Sequence, residues 1–373
     1  MTDRDSLPAS ANAAPSAVWS VRDCLAWTAQ HFAAKEIPNP RVDAEELLAH
    51  AFELPRLQLL LKMDQPVPPT VRETFRGYVQ RRAKREPLQH ILGCVDFFGL
   101  RIETGPGVLI PRPETEGLVE LAVTFLRERH PVAKPPLPVL REDPPAAGRD
   151  EHADPAPLPQ PAAEPEGARV AEHPSADSAP APVPAADLPT ALAGVVRAAP
   201  LRVWDIGTGS GCIALAIARM HPNVQILASD IAPAALALAK RNAQRLNLAA
   251  RVAFRRADLD QGLQFTAPFD LIVANPPYVP AGEAATIQPE VRHDPPEALY
   301  AGPAGLDVIV RILAMARDRL SADGALMLEI GHDQGSAAAA EADRIGFPNV
   351  LVLKDLYGKD RYLCARVQAV AAG

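Results

Sequence analysis

The residues best suited to chemistry are four consecutive ones, Asn275, Pro276, Pro277 and Tyr278. Two prolines stiffen the backbone and remove two N–H donors, which leaves carbonyl oxygens to accept hydrogen bonds. The side-chain oxygen of Asn275 and the carbonyl of Pro276 can then both accept from one planar NH2 group, while Tyr278 stacks on the flat group that bears it. Two such acceptors localise the nitrogen lone pair. The pattern therefore favours group transfer to an amide or aromatic amino nitrogen over an ordinary proline-rich turn, the structural alternative.

A glycine-rich loop precedes these residues and follows another apolar run. Asp205 and Ile206 are followed by Gly207, Thr208, Gly209, Ser210 and Gly211, and a predicted helix begins directly afterwards. Glycines let the backbone turn sharply and approach a ligand, and a helix start offers free N–H groups. About twenty residues on, Asp230 ends the next apolar run, where a carboxylate can accept hydrogen bonds from both ribose hydroxyls of a nucleoside. Asp258 and Leu259 end a third run and could hold an adenine edge.

The spacing of the loop narrows the cofactor. A dinucleotide fingerprint is GxGxxG, and here the third glycine comes one residue early. The carboxylate of Asp205 would also repel a pyrophosphate, whereas it suits a cationic amino-acid nucleoside. We therefore predict S-adenosyl-L-methionine, with a dehydrogenase and purely structural glycines as the alternatives. The four cysteines form no CxxC pair, so we expect reduced thiols and no metal site.

Alternating strands and helices must position these motifs. Beyond residue 200, near-continuous apolar strands such as LRVWDIG, VQILAS and FDLIVAN alternate with helices predicted over Cys212–Met220, Pro233–Leu246 and 304–320. Such alternation is typical of a parallel sheet covered on both faces. We predict an α/β fold with a doubly wound, mostly parallel sheet, whose ligand lies at the carboxyl ends of its strands.

The first part of the chain has a different pattern. Residues 18–86 show apolar positions three and four apart, which indicates helices. Thr70 and Glu73 have the spacing of a capping box that would open one of them. Residues 95–110 then change to strand-like runs broken by Gly and Pro, which predicts a β-hairpin.

Proline and charge are unevenly distributed. The chain has 373 residues, 40 prolines and a net charge of −7. Residues 131–200 contain 17 of these prolines, no aromatic residue and a net charge of −5. Such a segment buries too little apolar surface to offset its chain entropy, so we predict a disordered insert. The segments on either side are close to neutral, and neither a signal peptide nor an apolar run of 18 residues is present. We expect a cytoplasmic protein with no membrane partner.

The combination of DIGTGSG, Asp230 and NPPY resembles class I methyltransferases that act on amino groups, among them adenine-N6 DNA methyltransferases and protein glutamine methyltransferases. Three further stretches are similar to the HemK/PrmC family of release factor glutamine methyltransferases. They are the hairpin linker PLQHILGCVDFFGLRI with LIPRPETEGLVE, the helical segment RVDAEELLAHAFELPRLQLLL, and the carboxyl-terminal LEIGHDQG and LYGKDRYLCAR. The resemblance covers roughly residues 18–130 and 200–368.

The resemblance implies a substrate, a site and a domain organisation. The substrate would be the glutamine side-chain amide in the GGQ loop of class 1 release factors. The donor would bind residues 205 and 207–211 together with Asp230, Asp258, Leu259 and Asn275. Asn275, Pro276, Pro277 and Tyr278 would bind the glutamine, with catalytic roles for Asn275, Pro276 and Tyr278. The implied parts are a disordered N-terminus (1–17), a small N-terminal helical substrate-recognition domain (18–90), a hairpin linker with the first catalytic-domain helix (91–130), the insert (131–199) and the class I methyltransferase domain (200–373).

Two departures and three alternatives accompany this resemblance. Ala257 stands where the family usually has glycine, and Asp294 where it usually has glutamate. A ribosomal-protein glutamine is an alternative substrate, although the PRPETE linker favours the release factor. An adenine-N6 nucleic-acid methyltransferase is a second alternative, yet neither folded part is net basic, so we expect no DNA partner and a monomer. A non-catalytic scaffold is the third. The basic helix predicted over 71–86 could contact a release factor or RNA, a hypothesis that centres on Arg81 and Arg82.

Overall fold

The computed structural model of the chain describes residues 19–131, 199–284 and 287–368. The segments predicted as a disordered N-terminus (1–17) and as the insert (131–199) lie outside these residues, apart from residues 131 and 199 themselves. Among the described residues, no helix is long and apolar enough to cross a lipid bilayer.

Five helices form the amino-terminal part, as their apolar spacing predicts. Val21, Phe32, Leu47, Leu48 and Leu59 are completely buried at its centre. The helices are α1 (Val21–Ala34), α2 (Pro40–Ala51), α3 (Arg56–Leu60), α4 (Pro69–Ala83) and α5 (Leu88–Leu92).

The predicted capping box at Thr70 and Glu73 is wrong. Helix α4 begins at Pro69, so Thr70 already lies inside the helix, and Pro68 occupies the cap position without a side-chain hydrogen bond. Proline is tolerated in the first turn because its missing N–H would have no partner there. A capping box does open α1 instead, where Ser20 and Asp23 exchange hydrogen bonds.

A two-stranded hairpin links the helices to the rest of the chain, as predicted. Strand β1 (Cys94–Phe97) pairs antiparallel with β2 (Leu100–Glu103). Phe98 and Gly99 connect them with φ angles of 48° and 72°, the left-handed pair that matches strand twist in two-residue turns. An irregular segment then leads to α6 (Thr115–Arg129).

Seven strands form the main sheet, and the predicted doubly wound α/β architecture is confirmed. They are β3 (Leu201–Ile206), β4 (Val224–Asp230), β5 (Val252–Arg256), β6 (Phe269–Ala274), β7 (Leu320–Glu329), β8 (Asn349–Lys354) and β9 (Asp360–Arg366). Their spatial order is β5-β4-β3-β6-β7-β9-β8, and the first five are parallel. Strand β9 runs antiparallel to both β7 and β8.

Helices cover both faces of this sheet. The additional helices are α7 (Cys212–Met220), α8 (Pro233–Arg245), α9 (Asp307–Arg319) and α10 (Gly335–Ile345). Side chains alternate along each strand, so Val203 packs with α6 and α7 on one face, whereas Trp204 packs with α9 on the other. Because β3 to β6 are parallel, their carboxyl ends meet at one edge. The glycine loop, Asp230 and the NPPY motif all lie at this edge.

Candidate functional site

A cavity of about 300 Å³ lies at this edge of the sheet. Most of the predicted site residues line it, namely Gly207, Thr208, Gly209, Ser210, Asp230, Asp258, Leu259, Asn275, Pro276 and Pro277. Three others, Asp205, Gly211 and Tyr278, are not among its lining residues. The linker also lines it with Gly107, Val108, Leu109, Pro111 and Arg112, so the linker and the sheet form the site together.

The glycine loop is held against the end of β4. Gly207 and Gly209 have φ angles of 68° and 56°, which other residues rarely adopt. The Gly209 N–H donates to one carboxylate oxygen of Asp230 at 2.9 Å, and the Ala232 N–H donates to the other at 2.9 Å. Burial raises the pKa of Asp230. Each carboxylate oxygen can accept more than one hydrogen bond, so Asp230 can still receive hydroxyl groups from a ligand.

Asp205, predicted as a donor contact, lies beneath the loop. The residue is completely buried, and its Oδ2 accepts hydrogen bonds from the Thr208 hydroxyl at 2.6 Å and from the Ala214 N–H at 3.2 Å. Burial raises its pKa to about 7. Asp205 therefore ties the loop to the start of α7, which positions the residues that do line the cavity.

The wall predicted to hold the adenine follows β5. Asp258 forms a salt bridge with Arg311 of α9 at 2.9 Å, and both residues line the cavity. Leu259 has a φ of 53°, which turns the chain sharply after the strand. Ala257, the departure from the usual glycine, is buried, and its N–H donates to the Asp230 carbonyl at 3.1 Å. The methyl group of Ala257 is accommodated at the cavity wall.

A hydrogen-bonded network lies behind Asn275. Its Nδ2 donates to the hydroxyl of Thr115 at 3.0 Å, and that hydroxyl donates to Oε2 of Glu329 at 2.7 Å. The Tyr278 hydroxyl donates to Oε1 of the same carboxylate at 3.2 Å. Burial raises the pKa of Tyr278 well above its ordinary value. Tyr278, predicted to stack on the substrate, is thus held by its hydroxyl beside the core that contains Ile272.

Linker residues are fixed to the segment that follows the NPPY motif. The Arg112 guanidinium donates to Asp294 at 2.5 Å, and the Ile110 N–H donates to the other oxygen of Asp294 at 3.2 Å. Asp294 is almost fully buried, and burial raises its pKa. The predicted site omits Asp294 because this residue stands where the family usually has glutamate, and no local pattern relates it to Arg112, 182 residues away.

The start of α6 is also held by strand β9. The Tyr362 hydroxyl of β9 donates to the Glu114 carbonyl at 2.6 Å. A Cβ atom on Gly117, one turn into the helix, would lie 2.2 Å from that hydroxyl oxygen. A larger residue at this position would require the Tyr362 side chain to move, so the glycine permits the close approach of α6 to β9 near Thr115 and Glu329.

Three arginines at the end of the basic helix are paired with carboxylates. Arg82 is only 4% exposed and pairs with Asp43 of α2 at 2.7 Å and with Glu290 at 3.0 Å. Arg85 pairs with the same Glu290 at 2.9 Å, and Arg81 pairs with a neighbouring glutamate at 2.6 Å. Arg82 is therefore not available to contact RNA or a release factor, because its side chain is buried in an ion network that joins α4 to residues following the NPPY motif. For Arg81 and the rest of the basic helix the contact stays a hypothesis.

The cavity suits a nucleoside that carries an amino acid. Its volume lies at the lower end of the range typical for small-molecule sites. Asp230 offers a carboxylate at the ribose position, and the glycine loop lets backbone atoms approach without side chains. Ile206, Leu259 and Ile312 provide apolar surface for a flat base. The residues present therefore fit S-adenosyl-L-methionine.

The fold and this site define a class I methyltransferase that uses S-adenosyl-L-methionine. Two family models match the chain, "PrmC N-terminal domain" over residues 23–93 and "Methyltransferase small domain" over 190–302. The chain is 34% identical to a release factor glutamine methyltransferase from Geobacter sulfurreducens, over 94% of this chain and 98% of that protein. It is 33% identical to the protein of the same name from Deinococcus radiodurans, over 93% and 98%. The chain belongs to the release factor glutamine methyltransferase family.

A comparison with solved structures found ribosomal protein L11 methylase from Lactobacillus delbrueckii subsp. bulgaricus. The two chains are 22% identical with a TM-score of 0.33, over 46% of this chain and 70% of that one.

Proposed function

We propose that this enzyme transfers a methyl group from S-adenosyl-L-methionine to the side-chain amide nitrogen of the glutamine in the GGQ motif of class 1 release factors, and so supports translation termination. One observation carries the proposal: Asn275 and Pro276 line the same cavity as Asp230 and the glycine loop. An acceptor for a planar NH2 group therefore adjoins the residues that suit the methyl donor.

The chain's contribution to the reaction is positioning. An amide nitrogen is a poor nucleophile because its lone pair is delocalised. Hydrogen bonds to the Asn275 side-chain oxygen and the Pro276 carbonyl would hold both amide hydrogens and direct the lone pair into the cavity. When bound, S-adenosyl-L-methionine supplies an electrophilic methyl group. The methylated nitrogen then loses its surplus proton to solvent, so no base is needed before transfer.

The remaining parts of the proposal concern the cellular setting. Because release factors act on ribosomes, we propose that the enzyme is cytoplasmic and that a protein loop is its partner. We propose a monomer. We also propose that it does not act on DNA, because Arg81 and Arg82 of α4 and Arg85 after it are paired with acidic residues within the chain. A glutamine of a ribosomal protein remains the alternative substrate.

The test is incubation with labelled S-adenosyl-L-methionine and purified release factor. We expect label in the wild-type factor and none in a factor whose GGQ glutamine is replaced. Equal label in both factors would refute the target, and label in a ribosomal protein alone would favour the alternative.

Substitution of Asn275 tests the acceptor role. Asn275→Ala should abolish transfer, because the substrate NH2 loses an acceptor, while donor affinity measured by calorimetry changes little. Retained turnover in this variant would contradict the role given to Asn275.

A further inference from the structure

We propose that Thr115 and Glu329 are positioning residues that determine which way the Asn275 amide faces, so that its oxygen and not its nitrogen meets the substrate. This inference rests on the proposed function, because it explains how the acceptor of that reaction is prepared. Thr115 lines the cavity at the start of α6, and Glu329 ends β7 with 1% of its surface exposed.

The network selects one of two orientations of the Asn275 amide group. The oxygen and nitrogen of an asparagine side chain have nearly the same size, so shape alone does not select one orientation. A reversed Asn275 would present two N–H donors to a substrate that also offers N–H donors. The chain therefore needs a hydrogen-bond partner that accepts from Asn275 and never donates to it.

Thr115 becomes such an acceptor through Glu329. An ionised carboxylate only accepts hydrogen bonds, and a threonine hydroxyl has a single hydrogen to give. The hydroxyl oxygen of Thr115 lies 2.7 Å from Glu329 Oε2, so its hydrogen is donated to the carboxylate. The lone pairs of the Thr115 oxygen then face Asn275, whose NH2 group lies 3.0 Å away. The Asn275 oxygen is consequently left to accept hydrogen bonds from the substrate.

The relay depends on the charge of Glu329. Burial raises the pKa of this carboxyl to about 7. A protonated Glu329 can donate to Thr115, which frees the threonine hydrogen to bond the Asn275 oxygen and reverses the amide. The charged or titratable groups that face Glu329 come from several elements: Arg361 and Tyr362 of β9, Tyr278 after β6, Glu114 before α6 and Cys212 of α7. The cation of Arg361 favours the ionised form, and the carboxylate of Glu114 opposes it.

The first experiment compares two substitutions of Thr115 in the full chain. Thr115→Val keeps the shape but removes the hydroxyl, and we expect kcat to fall by a factor on the order of 30 while the KM for release factor changes less than about threefold. Thr115→Ser restores the hydroxyl and should recover most of that loss. Thr28→Val removes another buried threonine hydroxyl, in α1 of the helical domain, and serves as the matched control.

Two outcomes of this comparison would overturn the inference. One is a kcat for Thr115→Val within about threefold of wild type. The other is an equal loss in Thr115→Ser, which would trace the effect to packing and not to the hydroxyl. Circular dichroism and melting temperature confirm that each variant is folded.

The second experiment uses the pH profile. The wild-type kcat should fall as pH is lowered through the pKa of Glu329. In Glu329→Gln the amide oxygen can still accept from Thr115 while its NH2 faces Tyr278, and it has no proton to gain. We expect this variant to keep part of the activity and to lose the decline on the acid side, so the ratio of variant to wild-type kcat rises from pH 8 to pH 6. Parallel profiles would contradict the charge requirement.

Failure of the proposed function gives a different result. If wild-type enzyme transfers no label to release factor, the substrate assignment fails, and the Thr115 series is repeated with whichever amide substrate accepts the label. If wild-type enzyme methylates the factor and Thr115→Val does so equally fast, only the positioning role fails.

Discussion

Three carboxylates near the cavity differ in how completely their oxygens are hydrogen-bonded. Glu329 accepts hydrogen bonds from a threonine and a tyrosine hydroxyl, and Asp230 accepts them from two backbone N–H groups. Asp205 has one oxygen with two donors, but its Oδ1 is buried and, among the described residues, without a hydrogen-bond partner. An ionised carboxylate in that position costs stability, which explains why its pKa is raised to about 7.

A stability prediction follows for Asp205. In the folded chain it keeps its proton up to about pH 7, whereas the unfolded chain releases it near 3.8. The folded state therefore binds more protons between these values, and the contribution to the free energy of unfolding falls as pH rises through that window. We expect the wild type to lose on the order of 3 kcal/mol from this residue between pH 4 and pH 7.

Asp205→Asn removes the titration and should flatten this part of the profile. Urea midpoints of both proteins from pH 4 to pH 8 provide the measurement. A difference between the two proteins that does not change with pH would contradict the raised pKa.

At the scale of elements, long-range pairs fasten the linker and the helical domain to the segment after the NPPY motif. Arg112 binds Asp294, and four positions away along that segment Glu290 receives Arg82 and Arg85. The side chains of Arg82 and Asp43 are both below 10% exposed. Removing one member of a buried pair leaves the other charge without compensation, which costs more than the pair itself contributes.

Arg82→Ala is therefore predicted to lower the free energy of unfolding by about 3 to 5 kcal/mol. The matched control is Arg22→Ala, which breaks an exposed pair with Asp64 and should cost less than about 1 kcal/mol. Urea denaturation at neutral pH measures both. Similar losses in the two variants would show that the α4 network contributes no more than a surface salt bridge.

The elements themselves were largely predictable, and their contacts were not. Periodicity predicted α7 from Cys212 to Met220, and the structure has these bounds. Strand–helix alternation predicted that the glycine loop, Asp230 and Asn275 share one edge, because parallel strands end together. The partners Thr115 and Glu329 are 214 residues apart, and only the packing of α6 on β7 and β9 brings them together. No pattern within a window of sequence contains that information.

At the scale of the whole molecule, the described residues contain both the cavity and the apolar cores on the two faces of the main sheet. Arg129, at the end of α6, binds Asp270 of β6 at 2.9 Å, and His130 contacts His221 and Asn223. These contacts hold the end of α6 near the sheet before the chain continues into the segment predicted as an insert.

Deletion of residues 136–194 should consequently leave the fold and the activity nearly unchanged. The deletion removes none of the contacts described above, and the entropic cost of closing a loop varies only slowly with its length. We expect a melting temperature within about 3 °C of wild type and an unchanged kcat. A Gly/Ser replacement of equal length controls for loop length, and a large loss in both variants would show that the native segment packs.

The strand order places the predicted donor-binding residues and the proposed acceptor-positioning groups in two different halves of one sheet. The residues predicted to bind the nucleoside follow β3, β4 and β5, whereas the groups proposed to prepare the acceptor come from β6, β7 and β9 and from the helix that Tyr362 holds against them. Within the sheet the two halves are joined by the pairing of β3 with β6, and the salt bridge between Arg311 of α9 and Asp258 also connects them. Substitutions among the groups from β7 and β9 can therefore alter the acceptor side without touching the glycine loop, whereas a substitution of Arg311 reaches both sides.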